Sequence, residues 1–239
     1  MSITQRGSTV LPTNHRTRTG QARRAQTQQR IISAALEVFA ARGPDAPIID
    51  DFIRAAGVSR GTFYNYYRST GELLEATTKW LGDDLMESIE GEIGGLTDPI
   101  TRLTTGLRLW LRMSESDPLW CAFTVRASDV GGLVKEKLGG DLRNGRRRGL
   151  LDFPSLDSAY DLVVGTVRES MRRIIARRPR RNHDVEVVRI ILRGLGLAPA
   201  AIEQALARPV PRLRREPRGV GRRVSTLFAR KGRARNSVG

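Results

Sequence analysis

The chain has 239 residues, of which 41 are Lys or Arg and 25 are Asp or Glu, so its formal net charge is +16 at pH 7. A single cysteine excludes an internal disulfide; we interpret Cys121 as a buried apolar residue in the reducing cytoplasm, with a redox-sensing thiol as the alternative. The absence of a signal-peptide core and of any apolar run of about 18 residues argues against a membrane partner. Two distant histidines without a metal-spaced cluster, nucleophile elbow or phosphate loop argue against an enzyme, so we expect no catalytic site, metal or cofactor.

The positive charge is concentrated at the two ends of the chain. Residues 1–30 contain six arginines and no acid, and residues 208–239 contain eleven Lys or Arg against one Glu, whereas the middle is formally neutral. Both ends lack apolar periodicity, which predicts a disordered basic arm at residues 1–26 and a disordered basic tail at residues 208–239. The tail would attract DNA non-specifically, with RNA, anionic lipid or no function as alternatives. The arm is either solvated or binds DNA phosphates or a minor groove through Arg16, Arg18, Arg23 and Arg24.

The predicted first helix runs from about Gln28 to Arg42 and ends at the Gly43-Pro44 pair. Its apolar residues recur with helical spacing and would close a small core. These residues are Ile31, Ile32, Ala35, Leu36 and Phe39.

Two short helices around a glycine turn follow. The spacing predicts one helix over Ile49–Ala56, ended by Gly57, and another over Arg60–Tyr66, capped by Ser59. The second helix is too short to be stable alone, and it presents polar and aromatic side chains without an acid. A short, acid-free helix held against another helix is typical of a helix-turn-helix, whose second helix enters the major groove of DNA. The alternative is an ordinary helical corner with a polar surface.

Residues 30–74 resemble the DNA-binding module of the TetR (tetracycline-repressor-like) transcriptional regulators. The matching residues are Ile31, Ala34, Ala35, Leu36, Phe39, Gly43, Asp51, Ala55, Ala56, Gly57, Val58, Ser59, Gly61, Thr62, Phe63, Tyr64, Tyr67, Leu73 and Leu74. The resemblance implies that the second short helix and the turn after it bind DNA. The predicted DNA-binding residues are Ser59, Arg60, Gly61, Thr62, Tyr64, Asn65, Tyr66 and Arg68.

Within this set, we expect Arg60 and Thr62, together with Asn65, to contact base edges. Tyr64, Tyr66 and Arg68 would bind phosphates. The chain departs from the family at Pro47 and Ile48, where Thr or Ser side chains usually touch phosphate.

Ser69 and Glu72 form a predicted capping box that opens a long helix reaching about Gly91. Helical periodicity continues to Ala207 over Pro99–Ser116, Pro118–Arg126, Leu133–Leu151, Leu156–Arg177, Asp184–Gly194 and Pro199–Ala207. The predicted fold class is therefore all-α. A three-helix DNA-binding module with a helix-turn-helix occupies residues 27–74, and a helical effector-binding and dimerisation domain follows at residues 75–207.

Two apolar sets in the predicted body admit a structural and a functional interpretation. An aromatic-rich set is either core or part of the lining of an effector pocket, as the resemblance implies. Its members are Trp110, Met113, Trp120 and Phe123. Two amphipathic stripes are either monomer core or the four-helix interface of a dimer. Their members are Tyr160, Val164, Val167, Met171, Val188, Ile191 and Leu192.

We expect a sequence-specific transcriptional regulator that binds a two-fold symmetric double-stranded operator as a homodimer, a repressor released by an unknown small-molecule effector. A dimer is favoured because one short recognition helix contacts too few bases for useful specificity, whereas a two-fold pair reads two half-sites. The alternative is a nucleoid-associated, architectural DNA-binding protein that has no effector and whose basic ends dominate binding.

Overall fold

The computed structural model describes residues 15–177 and 181–217, with side chains from Thr19 onward, and these residues form helices without any strand. The helices are α1 (His15–Arg42), α2 (Ile49–Ala56), α3 (Arg60–Tyr64), α4 (Thr70–Ile93), α5 (Pro99–Ser116), α6 (Pro118–Thr124), α7 (Gly132–Arg147), α8 (Leu156–Ala176), α9 (His183–Gly194) and α10 (Pro199–Ala207). The predicted all-α class is confirmed for this part of the chain. None of the described helices is long and apolar enough to cross a bilayer.

Helices α1 to α3 close a small aromatic core. Phe39 of α1, Phe52 of α2 and Phe63 of α3 are each at most 1% exposed, and the rings of Phe39 and Phe52 lie 4.9 Å apart between centroids. Phe39 also contacts Phe123 of α6, with 5.7 Å between centroids. Because the same ring belongs to both contacts, the helix-turn-helix packs directly on the rest of the chain.

Helix α1 begins well before its predicted start at Gln28. Residues 15–27, most of which were predicted to be disordered, form its first turns. The stretch holds no proline and is rich in Arg, Gln and Ala, which are good helix formers, so it can extend a helix that the core already stabilises. The expectation of disorder at residues 1–14 falls outside the described residues.

The helix ends around α3 follow local signals. Gly57 adopts a left-handed conformation with φ of 60°, which a residue with a Cβ atom rarely adopts. Ser59 Oγ accepts the Thr62 N–H at 3.1 Å, and Ser69 Oγ accepts the Glu72 N–H at 3.1 Å. The predicted capping box is modified, because the Glu72 carboxylate accepts the N–H of Arg68 instead of the N–H of Ser69. Helix α3 is also shorter than predicted.

The apolar stripe of α9 belongs to the core of the single chain. Val188, Ile191 and Leu192 are each 0% exposed in the isolated protomer. Helix α9 is enclosed by α5, α8 and α10, which cover the face that these side chains occupy. Their predicted place in a dimer interface is therefore corrected, since a fully buried side chain has no surface left for a second copy.

Residues 208–217, which we call the C-terminal strap, return to the body instead of leaving it. The Arg215 guanidinium lies 2.5 Å from Asp84 Oδ1 and 3.1 Å from Glu87 Oε2, both on α4. Arg108 of α5 donates to the main-chain carbonyl of Arg208 at 3.0 Å. The predicted disorder from residue 208 is corrected for the strap, because acids on α4, among them the buried Asp84, hold it; residues 218–239 fall outside the described part.

Candidate DNA-binding surface and ligand cavity

Helix α3 and the turn after it bring the predicted DNA-binding residues onto one surface. Arg60, Gly61, Tyr64 and Asn65 are exposed, and Tyr64 retains 44% of its accessible surface. The Tyr64 ring stands edge-on to the buried ring of Phe63, with 5.9 Å between centroids. The Tyr64 ring is thus supported by the buried Phe63 ring while part of it remains exposed at the surface of the helix.

Arg60 is held by an acid on the neighbouring helix. Its Nη2 lies 2.5 Å from Asp50 Oδ1, while 64% of the Arg60 side chain stays exposed. A guanidinium has five N–H donors, so one carboxylate oxygen leaves most of them available. Asp50 therefore orients Arg60 through Nη2, and the remaining N–H donors are available to a base edge or a phosphate.

Ser59 and Thr62 form hydrogen bonds with each other. Their hydroxyl oxygens lie 2.8 Å apart, and the Ser59 hydroxyl also caps α3. A cap contributes a large share of the stability of a five-residue helix. Ser59 therefore stabilises the helix that presents the predicted DNA-binding residues.

Tyr66 and Tyr67 join the turn after α3 to α1. The Tyr66 hydroxyl donates to the main-chain carbonyl of Arg24 at 3.2 Å, and the Arg24 guanidinium lies 5.7 Å from the centroid of the Tyr66 ring. The Gln28 amide donates to the Tyr67 hydroxyl at 3.4 Å, and burial raises the pKa of Tyr67. Sequence reasoning missed this junction because its partners are about 40 residues apart, whereas motif spacing reports only neighbours.

The start of α2 lacks the hydroxyl that the resemblance leads one to expect. Ile48 is 63% exposed, and its N–H donates to Asp51 Oδ2 at 3.1 Å. The helix begins at Ile49, two residues after Pro47. No side-chain donor from the α2 start is therefore available to a phosphate among these residues.

A cavity of about 100 Å³ lies between α4, α5, α7 and α8. Its walls are mostly apolar, which suits an apolar ligand. The apolar residues that line it include Met86, Ile89, Leu103, Leu107, Trp110, Val134, Leu138, Val163, Val164, Val167 and Met171.

Only Trp110 of the four predicted pocket residues lines this cavity. Met113, Trp120 and Phe123 do not, and their assignment is corrected. Trp120 is 0% exposed and packs edge-on behind Trp110 at 5.4 Å between centroids, so it supports the wall instead of forming it.

The predicted dimer residues on α8 are divided between the cavity and its surroundings. Val164, Val167 and Met171 line the cavity, and the assignment of Val167 and Met171 to an interface is corrected because both are buried in the single chain, whereas Val164 is half-buried. Tyr160 is half-buried, and its hydroxyl has no hydrogen-bond partner among the described residues. The amphipathic stripe of α8 thus faces inward for most of its length.

An ion-pair cluster forms the polar part of the cavity wall. Arg102 lies 2.7 Å from both Asp141 Oδ1 and Glu90 Oε1, and it donates to the Ile93 carbonyl at 2.8 Å. Burial raises the pKa of Asp141, and the Arg102 guanidinium opposes that rise. Three different helices supply these charged groups, so no local sequence pattern indicated them.

Trp110 lines the cavity and carries a buried indole N–H without a partner in the described part of the chain. The side chain is 8% exposed. A buried donor without a partner costs about 1–3 kcal/mol of stability. Among the described residues, no group of three or more His, Cys, Asp or Glu side chains is placed to hold a metal ion.

Residues 31–77 match the sequence model of the family described as bacterial regulatory proteins, tetR family. YvdT of Bacillus subtilis, an uncharacterized HTH-type transcriptional regulator, is 34% identical over 70 residues, which are 29% of this chain and 36% of YvdT. Rv1255c of Mycobacterium tuberculosis, described in the same words, is 32% identical over 117 residues, which are 46% of this chain and 56% of that protein. The chain thus spans between about a third and just over half of these curated relatives.

Solved structures extend the likeness to the body. RolR in complex with its ligand resorcinol is 25% identical with a TM-score of 0.67, covering 81% of this chain and 99% of RolR. FadR from Bacillus subtilis in complex with stearoyl-CoA is 20% identical with a TM-score of 0.51, covering 70% of this chain and 98% of FadR. This likeness supports a shared fold and nothing more. Residues 31–77 thus match the tetR family of bacterial regulatory proteins in sequence, and the all-helical fold of the described residues is similar to that of RolR.

Proposed function

We propose that the protein is a dimeric, sequence-specific DNA-binding regulator of transcription, a repressor released by a small molecule. The observation that carries this proposal is the exposed face of α3, a helix without an acidic residue, fixed from below by a buried aromatic core. A rigid short helix with donors and rings on its outer face suits the major groove of DNA.

Each exposed residue of α3 has a chemical role in this proposal. Arg60, oriented by Asp50, would donate two hydrogen bonds to guanine, a contact worth roughly 1–3 kcal/mol of discrimination. Asn65 offers the matching pattern for adenine. Tyr64 and Arg68 would bind phosphates and set the register of the helix in the groove.

The cavity supplies a physical link between a ligand and α3. Helix α4 contributes Thr78, Gly82 and Ile89 to the cavity, and its cap at Ser69 follows the turn after α3 directly. A ligand that binds one position of α4 better than another shifts the population toward that position and moves the helix-turn-helix with it. An effector with a ring-sized apolar body fits the lining.

The outer face of α8 and α9 is the surface we assign to the dimer. Ile190 is 60% exposed, and Gly194 lies one turn further along the same face of α9. Leu162 of α8 is half-buried, and a Cβ atom at Gly194 would lie 2.7 Å from its Cδ2. This close approach of the two helices presents a flat, partly apolar surface that a second copy can cover.

The test is selection of full-length protein on a random duplex DNA pool at near-physiological salt, followed by sequencing of the retained DNA. We expect a two-fold symmetric motif that Tyr64→Ala fails to retain, whereas Tyr160→Phe, a tyrosine variant far from α3, retains it. Ile190→Glu should yield a monomer by light scattering and lose the symmetric motif. Retained DNA indistinguishable from input, with tight and salt-sensitive binding, would instead indicate the architectural protein.

A further inference from the structure

We propose that the first part of α1, residues 15–27, is a second DNA contact that binds the phosphate backbone beside the site read by α3. We call it the α1 extension. The inference rests on the proposed function and deepens it, because it assigns the extension a ligand chemistry of phosphates and excludes base edges. At 1.5 Å per residue the extension adds roughly 20 Å of helix to the helix-turn-helix module.

The extension and the next turn of α1 form a basic ridge without counter-charge. The chain has no acid before Glu37. Arg23, Arg24 and Arg30 are exposed, and no acidic group in the described ranges pairs with any of them. Exposed guanidiniums without an acid partner can neutralise DNA phosphates and release the cations condensed on them.

Contacts to the turn after α3 fix where this ridge lies. The Tyr66 hydroxyl binds the Arg24 carbonyl at 3.2 Å, and one helical turn further on, Gln28 binds the Tyr67 hydroxyl at 3.4 Å. Two bonds a turn apart set both the position and the angle of α1 against this segment. When α3 lies in the major groove, the residues that follow it border the groove, where the phosphates run. Arg24 lies over the Tyr66 ring, and Arg68 is exposed. Both side chains would therefore contact phosphates of the same DNA strand.

The helical form of the extension decides which part of the DNA it meets. An α-helix with its side chains is about 10–12 Å wide, whereas the minor groove of B-DNA is about 6 Å wide. The extension therefore cannot enter the minor groove as an extended arm would, and α3 already fills the major groove. What remains accessible is the sugar-phosphate backbone, which contributes affinity and register but no direct sequence information.

The test is the salt dependence of binding by the full-length Arg23→Gln/Arg24→Gln variant, on the selected site and on an unrelated duplex. Each phosphate contact contributes about −0.9 to the slope of log K against log salt concentration, so a dimer that loses two contacts per subunit has a slope that is less steep by about 3.6. We expect this loss on both DNAs, with an unchanged preferred motif. The control is Arg143→Gln/Arg147→Gln on α7, which removes the same charge from two exposed side chains outside the α8–α9 surface; its slope should stay unchanged.

Folding and function are separated by two further measurements. Circular dichroism shows whether the variant keeps its helix, and Tyr66→Phe, which removes only the bond to Arg24, should weaken binding to both DNAs in the same direction. An unchanged slope with an intact motif overturns the α1 extension as a contact. A motif that loses flanking base pairs in the variant also overturns it, because bases would then be read. Failure of the wild-type protein to select any motif defeats the proposed function instead.

Discussion

Arg108 and Arg112 offer a matched test of how much burial governs an ion pair in this fold. Each places its Nε 3.1 Å from Asp184 Oδ2, but the Arg108 side chain is 9% exposed and that of Arg112 is 46% exposed. Arg108 also donates to the carbonyls of Leu206 and Arg208 at 3.1 and 3.0 Å. Arg108→Met keeps most of the side-chain volume and removes all three bonds.

The expected loss follows from these contacts. Removing one partner of a buried ion pair costs about 3–5 kcal/mol, and the Arg108 variant should lie near the lower end because Asp184 keeps Arg112. At about 2–4 °C per kcal/mol for a chain of this size, about 3 kcal/mol lowers the melting temperature by ~6–12 °C. Arg112→Met removes a half-exposed pair worth about 0.5 kcal/mol, or ~1–2 °C.

Thermal and urea unfolding followed by circular dichroism measure both variants. Adding Asp184→Asn to each completes two double-mutant cycles, and the coupling energy with Arg108 should exceed that with Arg112. Equal and small losses for the two arginine variants would refute the reasoning, because equal distances with unequal burial would then give equal energies.

Four further outcomes follow from single sites. Gly57→Ala should lower stability by about 1 kcal/mol in urea unfolding, because φ is 60° there, whereas Gly61→Ala, with open space around it, should not. Trp110→Ala should lower stability by about 3–5 kcal/mol in urea unfolding, because it removes a large side chain that is 8% exposed and lines the cavity. Burial raises the pKa of Tyr160 from 10.0 to about 12, so the unfolded state ionises first; its contribution to stability is complete below pH 10 and lost as pH rises through 12. Alkaline unfolding of Tyr160→Phe checks this, and a wild-type-like profile contradicts it. Burial raises the pKa of the Cys121 thiol to about 11, so iodoacetamide at pH 8 should label it only after unfolding, as mass spectrometry would show.

The parts of the fold that the sequence predicted correctly depend on contacts between residues that are close together in the sequence. Gly57, Ser59 and Ser69 end or begin helices through bonds to residues no more than four positions away, and spacing alone reveals such bonds. The start of α1 was missed because its arginine-rich composition resembles that of a disordered segment, whereas contacts from Tyr66 and Tyr67 hold it in place.

The cavity and the dimer surface were harder to predict for a different reason. An amphipathic stripe states that a face is covered and leaves open whether the chain itself or a second copy covers it. Val188 and Ile191 illustrate the first case. The cluster of Arg102, Glu90 and Asp141 has no local signature, since its members meet only after three helices have packed.

The C-terminal strap also has a consequence for the order in which the protein folds on the ribosome. The bond between Arg215 and Asp84 spans 131 residues, and that between Arg108 and the Arg208 carbonyl spans 100. The long-range bonds from Tyr66 to α1 span only 42. Chain synthesis at about 5–20 residues per second therefore leaves many seconds in which the helix-turn-helix module is complete while α4 still lacks the strap. Folding of the body is the late step, because the entropy of its longest loop closures is lost only after residue 215 has emerged.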